Sequence, residues 1–368
     1  MSRRLLAALM TLGALGTCAA QDSDTRQVTI AQLEQFLEAQ QAAHASDGAT
    51  ARQLGTVELS EQLTELTIER IKDADHPGAE TAAQLDVLAD LSAFLEPPAS
   101  EAPSKTPPTA AEQAAMLGVA REFVSETLKH LPDFLATRTT RSFEDVPVIT
   151  ADASFQSGMH AMGSTVREVA YRKGLEFSST VAPGESGSKA QTERPAGLSS
   201  AGEFGPVLKT IIADSANGTI GWSRWEQTLA GLAAVFHYQV PKAAAHYLID
   251  FCCAWSLVRE EFTSYHGTPA YEGTIAIDPA SGAILRLTLH AAFEDFDPPP
   301  QFGLVVQYGD VEIGGSHLMC PARSAVILRS VRPGKKHDWN VILVNDTAFT
   351  GYRRFGSTAR IVPNTQAR

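Results

Sequence analysis

The segment Gly273-Thr-Ile-Ala-Ile-Asp-Pro-Ala-Ser-Gly-Ala-Ile-Leu-Arg-Leu-Thr-Leu-His290 decides the fold class. Isoleucines alternate with small or polar residues before a turn at Asp278–Gly282, and Leu285, Leu287 and Leu289 alternate with polar residues after it. Because successive side chains of a strand point to opposite faces of a sheet, this pattern predicts an antiparallel hairpin with one buried face.

Similar stretches extend across residues 133–368, which we interpret as one antiparallel β domain. No rhythm of alternating strands and helices is present, which argues against a doubly wound parallel sheet. Gly314-Gly315 fits a tight hairpin turn. Residues 178–206 are rich in Gly, Ser and Pro and predict an excursion from the sheet. Strands are predicted at 134–142, 165–171, 232–240, 245–253, 303–313, 316–321, 324–331, 339–344 and 357–362.

The part of the chain before this domain has helical periodicity. Residues 21–96 predict a helical region, 97–108 contain five prolines and predict an extended linker, and 109–132 predict a helix leading into the β domain. A second helix is expected from about Ser60, with Leu59, Leu63, Leu66 and Ile71 on one side. The fold class is therefore α+β, with N-terminal helices followed by a larger, strongly curved antiparallel sheet. Three capping boxes support the helix starts: Thr29 with Gln32, Thr81 with Gln84, and Thr109 with Glu112.

The charge of the chain is concentrated in this helical part. The net charge is −12, and residues 21–145 hold 22 acidic residues against nine basic ones, whereas residues 146–368 are nearly neutral. A broad basic field is absent, which argues against a nucleic-acid partner. The acidic side chains predict a solvated outer face of a helical bundle, with a docking surface for a basic partner as the alternative.

Residues 1–20 have the features of a secretion signal. Arg3 and Arg4 precede an apolar run that is too short to span a bilayer, and Cys18-Ala19-Ala20 fits a cleavage site. Lipidation of Cys18 is the alternative to soluble release. No other apolar stretch reaches the length of a membrane span. We therefore expect an exported protein, either periplasmic or secreted, with no transmembrane span.

Three cysteines lie beyond the leader. In an oxidising compartment a disulfide between Cys253 and Cys320 is one interpretation, since neighbouring residues of a strand face opposite sides and Cys252 can then pack in the core. Three free buried thiols are the other interpretation, because the spacing of cysteines does not determine their connectivity.

No motif for catalysis or for cofactor binding stands out. The chain has no P-loop, no Gly-x-Gly-x-x-Gly after a strand and no zinc-type spacing of Cys and His, so no cofactor is predicted. His237, His246 and Asp250 lie on or near predicted strands and give a metal or hydrolytic site as a minor hypothesis. The favoured interpretation is that these histidines face solvent without a catalytic role. We therefore favour a function other than catalysis.

Aromatic residues cluster between Trp222 and Trp255 in the predicted β domain. Trp222, Trp225, Tyr238, Tyr247 and Phe251 are candidates for lining an apolar concavity that binds a ligand. The alternative is that these side chains fill the core beneath the helices.

The second half of the chain resembles the LolA/RseB-type exported bacterial proteins, which are lipoprotein carriers and their envelope-stress-sensing relatives. The likeness lies in the start of a strand after Leu131-Pro-Asp-Phe134, in the hairpin Gly273-Thr-Ile-Ala-Ile-Asp278 to Gly282-Ala-Ile-Leu-Arg286-Leu, and in Asn345-Asp-Thr-Ala-Phe-Thr-Gly-Tyr352-Arg-Arg-Phe355-Gly-Ser. It covers at most residues 130–365. The resemblance implies a curved half-barrel whose concave face takes an acyl chain or another hydrophobic ligand.

These observations predict a non-enzymatic protein of the cell envelope that binds a hydrophobic ligand or a protein partner in the curved sheet. A scaffold that docks a basic partner through its acidic helices is the alternative. A metal-dependent or hydrolytic enzyme is the second alternative.

Overall fold

The computed structural model describes residues 26–146, 148–149, 155–156, 158–178, 198, 202–256, 259–293, 296–332 and 338–355. The expected signal peptide with Cys18, most of the expected excursion at 178–206 and the expected strand at 357–362 lie outside the described residues.

The chain begins with a layer of helices and a short parallel strand pair, as the helical periodicity predicts. Capping boxes start α1 at Thr29 and α5 at Thr109, so both of these predictions are confirmed. The elements are β1 (Arg26–Val28), α1 (Ile30–Ala42), α2 (Asp47–Leu54), β2 (Val57–Leu59), α3 (Glu65–Asp75), α4 (Ala79–Ser92) and α5 (Ala110–His130).

Two helix starts differ from the prediction. The helix expected from about Ser60 begins instead after its N-cap Thr64, because residues 57–59 form β2. The helix assigned to a box at Thr81 begins after Gly78. The carboxylate of Asp47 on α2 accepts hydrogen bonds from the Glu80 and Thr81 amides, both at 2.9 Å, so a side chain distant in sequence caps α4.

The β domain is dominated by one ten-stranded antiparallel sheet, which confirms the α+β fold class. Its strand order is β7-β6-β3-β16-β15-β14-β13-β12-β9-β8, and the edge strands β7 and β8 are not paired with each other in the described part of the chain. Smaller two-stranded sheets pair β4 with β5 and β10 with β11. The elements are β3 (Phe134–Asp145), β4 (Val148–Ile149), β5 (Phe155–Gln156), β6 (His160–Arg172), β7 (Leu175–Ser178), α6 (Pro206–Ser215), β8 (Thr219–Thr228), β9 (Gly231–Val240), β10 (Ile249–Ser256), β11 (Glu261–Gly267), β12 (Tyr271–Ile277), β13 (Ile284–Ala292), β14 (Gln301–Ile313), β15 (Ser316–Arg332) and β16 (Trp339–Arg354).

The hairpin predicted from residues 273–290 is formed by β12 and β13. The residues of β13 that face the core differ at one position from the predicted alternation. A register shift after Ala276 pairs Ile277 with Ile284, so Ile284 rather than Leu285 joins Leu287 in the main core. The next predicted turn is also present. Gly314 and Gly315 both have positive φ angles, +62° and +85°, which the two-residue turn between β14 and β15 requires.

The two faces of the large sheet are covered by different parts of the chain. On the core face, α5, α6 and the β10–β11 pair pack in one apolar cluster with side chains such as Leu304, Val306, Val326 and Leu328. On the opposite face, which we call the helical face, Val87 of α4 packs against neighbours that include Ile327. The helical N-terminal region is therefore docked on the β domain.

A cluster of buried charges holds α4 on the helical face. Asp346 of β16, which is 2% exposed, accepts hydrogen bonds from Arg141 of β3 and from Arg323 of β15, the latter at 2.8 Å. Arg141 also donates to Asp86 at 2.7 Å, and Arg323 donates to Asp90 at 2.9 Å. Asp86 and Asp90 of α4 thus neutralise two arginines that Asp346 orients. A single network of ion pairs therefore connects α4 with β3, β15 and β16.

The acidic residues of the helical region have partners within the chain. Besides Asp86 and Asp90, Glu96 pairs with Arg224 at 3.2 Å and Glu58 pairs with Arg329 at 3.7 Å. The acidic helical layer is therefore in part the electrostatic complement of the arginines on the sheet. Asp86 and Asp90 face the sheet, whereas the Glu96 side chain is 77% exposed, as the predicted solvated face requires.

We predict that Arg323→Met lowers the free energy of unfolding by roughly 3–5 kcal/mol, because it leaves the Asp90 and Asp346 carboxylates buried beside one remaining guanidinium. The change retains the aliphatic stem, so lost packing contributes little. Urea unfolding followed by tryptophan fluorescence measures the loss. Arg121→Met on the exposed face of α5 is the matched control, expected within about 0.5 kcal/mol of the wild type. Equal stabilities of the two variants would contradict the role of the charge cluster.

Candidate binding cleft between the helical layer and the sheet

The aromatic residues predicted to line a ligand site lie in or against the main core. Tyr238, Phe251 and Trp225 are buried, and Trp222 and Tyr247 are half-buried against the same cluster. Trp222 makes edge contacts with Trp225, at 4.9 Å between ring centroids, and with Phe236, at 5.6 Å. Their positions fit the alternative prediction, in which these side chains pack in the core. Helices α5 and α6 and the β10–β11 pair cover the sheet face that was expected to bind a ligand.

The proline-rich segment 97–108 also contacts this region. The Trp225 indole donates to the Thr106 carbonyl at 2.9 Å, and the Lys105 ammonium lies 3.8 Å from the Trp225 ring centre. At its start, Glu101 accepts a hydrogen bond from Thr64 at 2.6 Å. The segment is thus packed on the molecule at both ends.

Little space remains on the core face. A cavity between α5, the start of α6 and the strands has a volume of about 20 Å³, which suffices for about one water molecule. Small-molecule sites usually have volumes of about 300–1,000 Å³, so this cavity beside the predicted aromatic residues is too small for an acyl chain.

The helical face contains a cleft of about 840 Å³, which we call the layer cleft. Its floor is the helical face near the paired ends of β15 and β16, and its walls are α4 and the segment 55–60 that contains β2. Apolar and polar side chains both line it. The apolar ones include Leu88, Leu91, Leu95, Met159, Val331 and Ile342, and the polar ones include Glu58, Gln84, Asp145, Gln301, Arg329 and Asp338.

Two hydrogen-bond donors in the layer cleft are poorly satisfied. Gln84 is 5% exposed, and its Nε2 has no hydrogen-bond partner among the described residues. The sequence assigned Gln84 to a capping box, but Asp47 caps the helix instead and leaves the amide facing the cleft. Within the described part of the chain the Arg329 side chain is 33% exposed and has a 3.7 Å ion pair with Glu58, and burial lowers its pKa more than Glu58 raises it. Both groups favour a ligand that supplies a hydrogen-bond acceptor.

The wall formed by β2 adds an exposed strand edge. Within the described chain β2 pairs only with β1, in parallel, with Val57 opposite Arg26 and Leu59 opposite Val28. An edge strand beside a cleft is the arrangement that accepts an added extended segment.

The residues of the minor enzymatic hypothesis are not brought together. His246 contacts Asp214 at 2.7 Å, Asp250 contacts His266 at 3.1 Å, and His237 lies 3.8 Å from Glu272. Across the described ranges, no three His, Cys, Asp or Glu side chains form a group that could hold a metal ion.

The cysteines are paired differently from the predicted bridge. Cys252 and Cys253 form a disulfide, and Cys320 is a buried free thiol. The register of β10 against β11 shifts between Phe251 and Ala254, so the strict alternation that was expected to separate the two neighbours does not hold there. The structure thus pairs Cys252 with Cys253 and leaves Cys320, the expected partner of Cys253, as a free thiol.

A buried carboxyl pair links β7 to the segment before α6. Glu176 accepts a hydrogen bond from the Gly202 amide at 2.9 Å, and the fully buried Glu203 lies 3.6 Å from Arg138. Burial, with the negative charge of Glu203, raises the pKa of Glu176 from 4.5 to about 8, against the opposing effect of Arg138. Glu176 is therefore protonated at neutral pH in the folded protein.

Comparisons with known proteins give no family for this chain. No family model matches, and no curated protein matches. A solved structure of the Pseudomonas aeruginosa MucA/MucB complex is similar at 9% identity and a TM-score of 0.18, over 63% of this chain and 93% of that chain. A crystal structure of MucB in complex with MucA(peri) is similar at 8% identity and a TM-score of 0.15, over 64% and 93%. TM-scores this low do not establish a common fold, so the family resemblance stays an expectation.

No helix in the part of the chain that the structure describes is long and apolar enough to cross a membrane.

We predict that Glu176→Gln stabilises the protein more at high pH than at low pH. Between pH 4.5 and about 8 the folded state retains a proton that the unfolded state releases, so the stability of the wild type falls as pH rises through this window. The amide removes this loss, and melting temperatures at about pH 5 and pH 9 measure it. Glu122→Gln on the exposed face of α5 is the control. A melting-temperature difference that does not change with pH would contradict the assignment.

We predict that, of Cys252, Cys253 and Cys320, only Cys320 reacts with an alkylating reagent in denaturant without reductant. In the native state the reaction is slow, because burial raises the Cys320 pKa to about 12 and the thiolate is the reactive form. Peptide mapping by mass spectrometry identifies the labelled residue. Labelling of Cys252 instead of Cys320 would show that the bridge joins Cys253 to Cys320.

Proposed function

We propose that this protein is an exported binding protein that holds an extended polypeptide segment of a partner protein in the layer cleft. The observation that carries this proposal is the pair of donors inside the cleft, Gln84 Nε2 and the Arg329 guanidinium, beside the edge strand β2. A peptide supplies acceptors for both donors through its carbonyl groups, and it supplies a backbone that can pair with β2.

The apolar part of the lining gives the segment its side-chain sites. Leu88 and Leu91 lie on α4 and Leu95 follows just after its end, while Val331 and Ile342 line the cleft from the sheet. An extended segment presents alternate side chains to one face, so apolar residues at every second position would contact these walls. Carbonyl groups or a carboxylate between them would meet Gln84 and Arg329.

A fatty acid is the second candidate, because its carboxylate is also an acceptor and its chain is apolar. Many polar side chains line the layer cleft, and each would lose water to an acyl chain without gaining a hydrogen bond. This cost favours a peptide.

The scaffold hypothesis is weakened by the internal ion pairs. Asp86 and Asp90 already pair with arginines of the sheet, so these two carboxylates are not available to a basic partner without undocking the helical layer. Export of the protein remains the expectation drawn from residues 1–20.

The proposal is tested by selecting peptides from a displayed random library on the purified protein and measuring the affinity of the enriched peptides by calorimetry. We expect Gln84→Leu and Arg329→Met each to weaken binding at least tenfold, which corresponds to about 1.4 kcal/mol. Both changes preserve apolar volume in the cleft wall. Arg121→Met, on the far side of the molecule, is the matched control and should bind as the wild type does.

Two results would overturn the proposal. One is enrichment of peptides whose affinity is the same for the wild type and both cleft variants, since the peptides would then bind elsewhere. The other is the absence of any enriched peptide while a fatty acid binds the wild type and is lost in Arg329→Met, which would assign the cleft to a lipid.

A further inference from the structure

A second cavity lies on the opposite side of the sheet from the layer cleft. It has a volume of about 520 Å³ and is enclosed by the end of α5, one face of α6 and the turn between β6 and β7. Its apolar lining is formed by Leu128, Tyr171, Leu175, Pro206 and Ala213, and its polar lining includes Lys209, Asp214 and His246. None of these residues belongs to the layer cleft.

Asp214 fixes the position of His246 at the wall of this cavity through two hydrogen bonds. One carboxylate oxygen of Asp214 contacts the His246 Nδ1 at 2.7 Å, and the other accepts the His246 amide at 2.7 Å and the Tyr271 hydroxyl at 2.6 Å. The Asp214 side chain is 3% exposed, whereas the His246 side chain is 73% exposed. A buried carboxylate with three donors thus orients an accessible imidazole at the cavity wall.

This pair differs from the other histidine–aspartate contacts of the described chain. His317 lies 2.7 Å from Asp310 and His266 lies 3.1 Å from Asp250, but these aspartates are 59% and 43% exposed. Neither pair lines a cavity described above. Only His246 combines a buried orienting carboxylate with a cavity large enough for a small molecule.

Lys209 adds a second cation to the same wall. It precedes Asp214 by five residues on α6, which separates the two by about 7.5 Å along the helix axis. Since Asp214 already accepts three hydrogen bonds, the ammonium and the imidazolium are the charges that remain for a ligand. The opposite part of the cavity is apolar.

We propose that this cavity binds a small amphiphilic anion, with its phosphate or carboxylate group on His246 and Lys209 and its apolar body against Leu128, Tyr171 and Leu175. The cavity volume suits a single short chain or a ring system and not a lipid with several acyl chains. This site is separate from the layer cleft, so the two proposals succeed or fail independently.

Binding should depend on pH through the charge of His246. The Asp214 carboxylate raises the pKa of His246, so the imidazolium persists to higher pH than in a free histidine. Affinity is highest below that pKa and falls as pH rises through it. The titratable groups that face His246 or share its cavity are Asp214 and Lys209 on α6, Tyr271 on β12, Tyr171 on β6 and the neighbouring Tyr247. Burial raises the pKa of Tyr271 and of Tyr247, so both phenols stay neutral in this range.

The test is calorimetric titration of the full chain with octyl phosphate below its micellar concentration. Inorganic phosphate supplies the head group alone and 1-octanol supplies the apolar body alone. We expect saturable binding of octyl phosphate, at least tenfold weaker binding of each fragment, and a several-fold loss of octyl phosphate affinity from about pH 6 to about pH 9. Decanoate, tested in parallel, distinguishes a carboxylate source from a phosphate source.

His246→Gln should weaken octyl phosphate binding at least tenfold and abolish its pH dependence. His317→Gln is the matched control, because it removes an equally exposed histidine on an aspartate partner outside the cavity. If His246→Gln fails to fold, Lys209→Met tests the same head-group site without removing the hydrogen bonds between Asp214 and His246. Absence of saturable binding to the wild type, or unchanged affinity in His246→Gln and Lys209→Met, would overturn the proposal.

Discussion

The Asp346 carboxylate is the group on which the two-layer arrangement depends. It lies between the guanidinium groups of Arg141 and Arg323, and each of these arginines also reaches a carboxylate of α4. Burying this many charges is favourable only when every member has its partners, so α4 docks in one position or not at all. The layer cleft follows from this constraint. Helix α4 uses the face with Asp86 and Asp90 to bind the sheet, and the face with Gln84, Leu88 and Leu91 becomes a wall of the cleft.

Sequence patterns predicted the elements that are determined by interactions between residues close in sequence. The alternation in residues 273–290, the two-glycine turn at 314–315 and the capping boxes at Thr29 and Thr109 each act within a few residues, and each is present. The start of α4 could not be predicted, because its cap is Asp47 from another helix. Edge strand β7 and strands β8 and β11 were missed, since strands exposed on one or both sides lack a continuous apolar alternation.

The candidate sites were less predictable than the fold. Trp222, Trp225, Tyr238, Tyr247 and Phe251 have the composition of a ligand site, but composition does not reveal that α5 and α6 occupy the face they line. The sequence assigned Gln84 to a helix cap. The structure shows that Asp47 caps α4 instead, which makes the Gln84 amide a candidate ligand donor. The Asp214–His246 contact joins two residues that are 32 positions apart in the sequence, and no motif with a fixed spacing predicts such a contact. Both sites arise from tertiary packing, where patterns along one segment carry no information.

The pairing of β3 with β16 has a consequence for the order of assembly. Among the described residues β3 is the first strand of the β domain and β16 is the last, yet they pair along most of their length, with Asn345 opposite Ser142 and Thr347 opposite Thr140. Without β16 the sheet would separate into β7-β6-β3 on one side and the strands from β15 to β8 on the other. Closing a loop of this length is entropically costly and slow. A nascent chain can therefore complete neither its sheet nor the docking of α4 until its last strand has emerged, which keeps the chain incompletely folded while it is still being made.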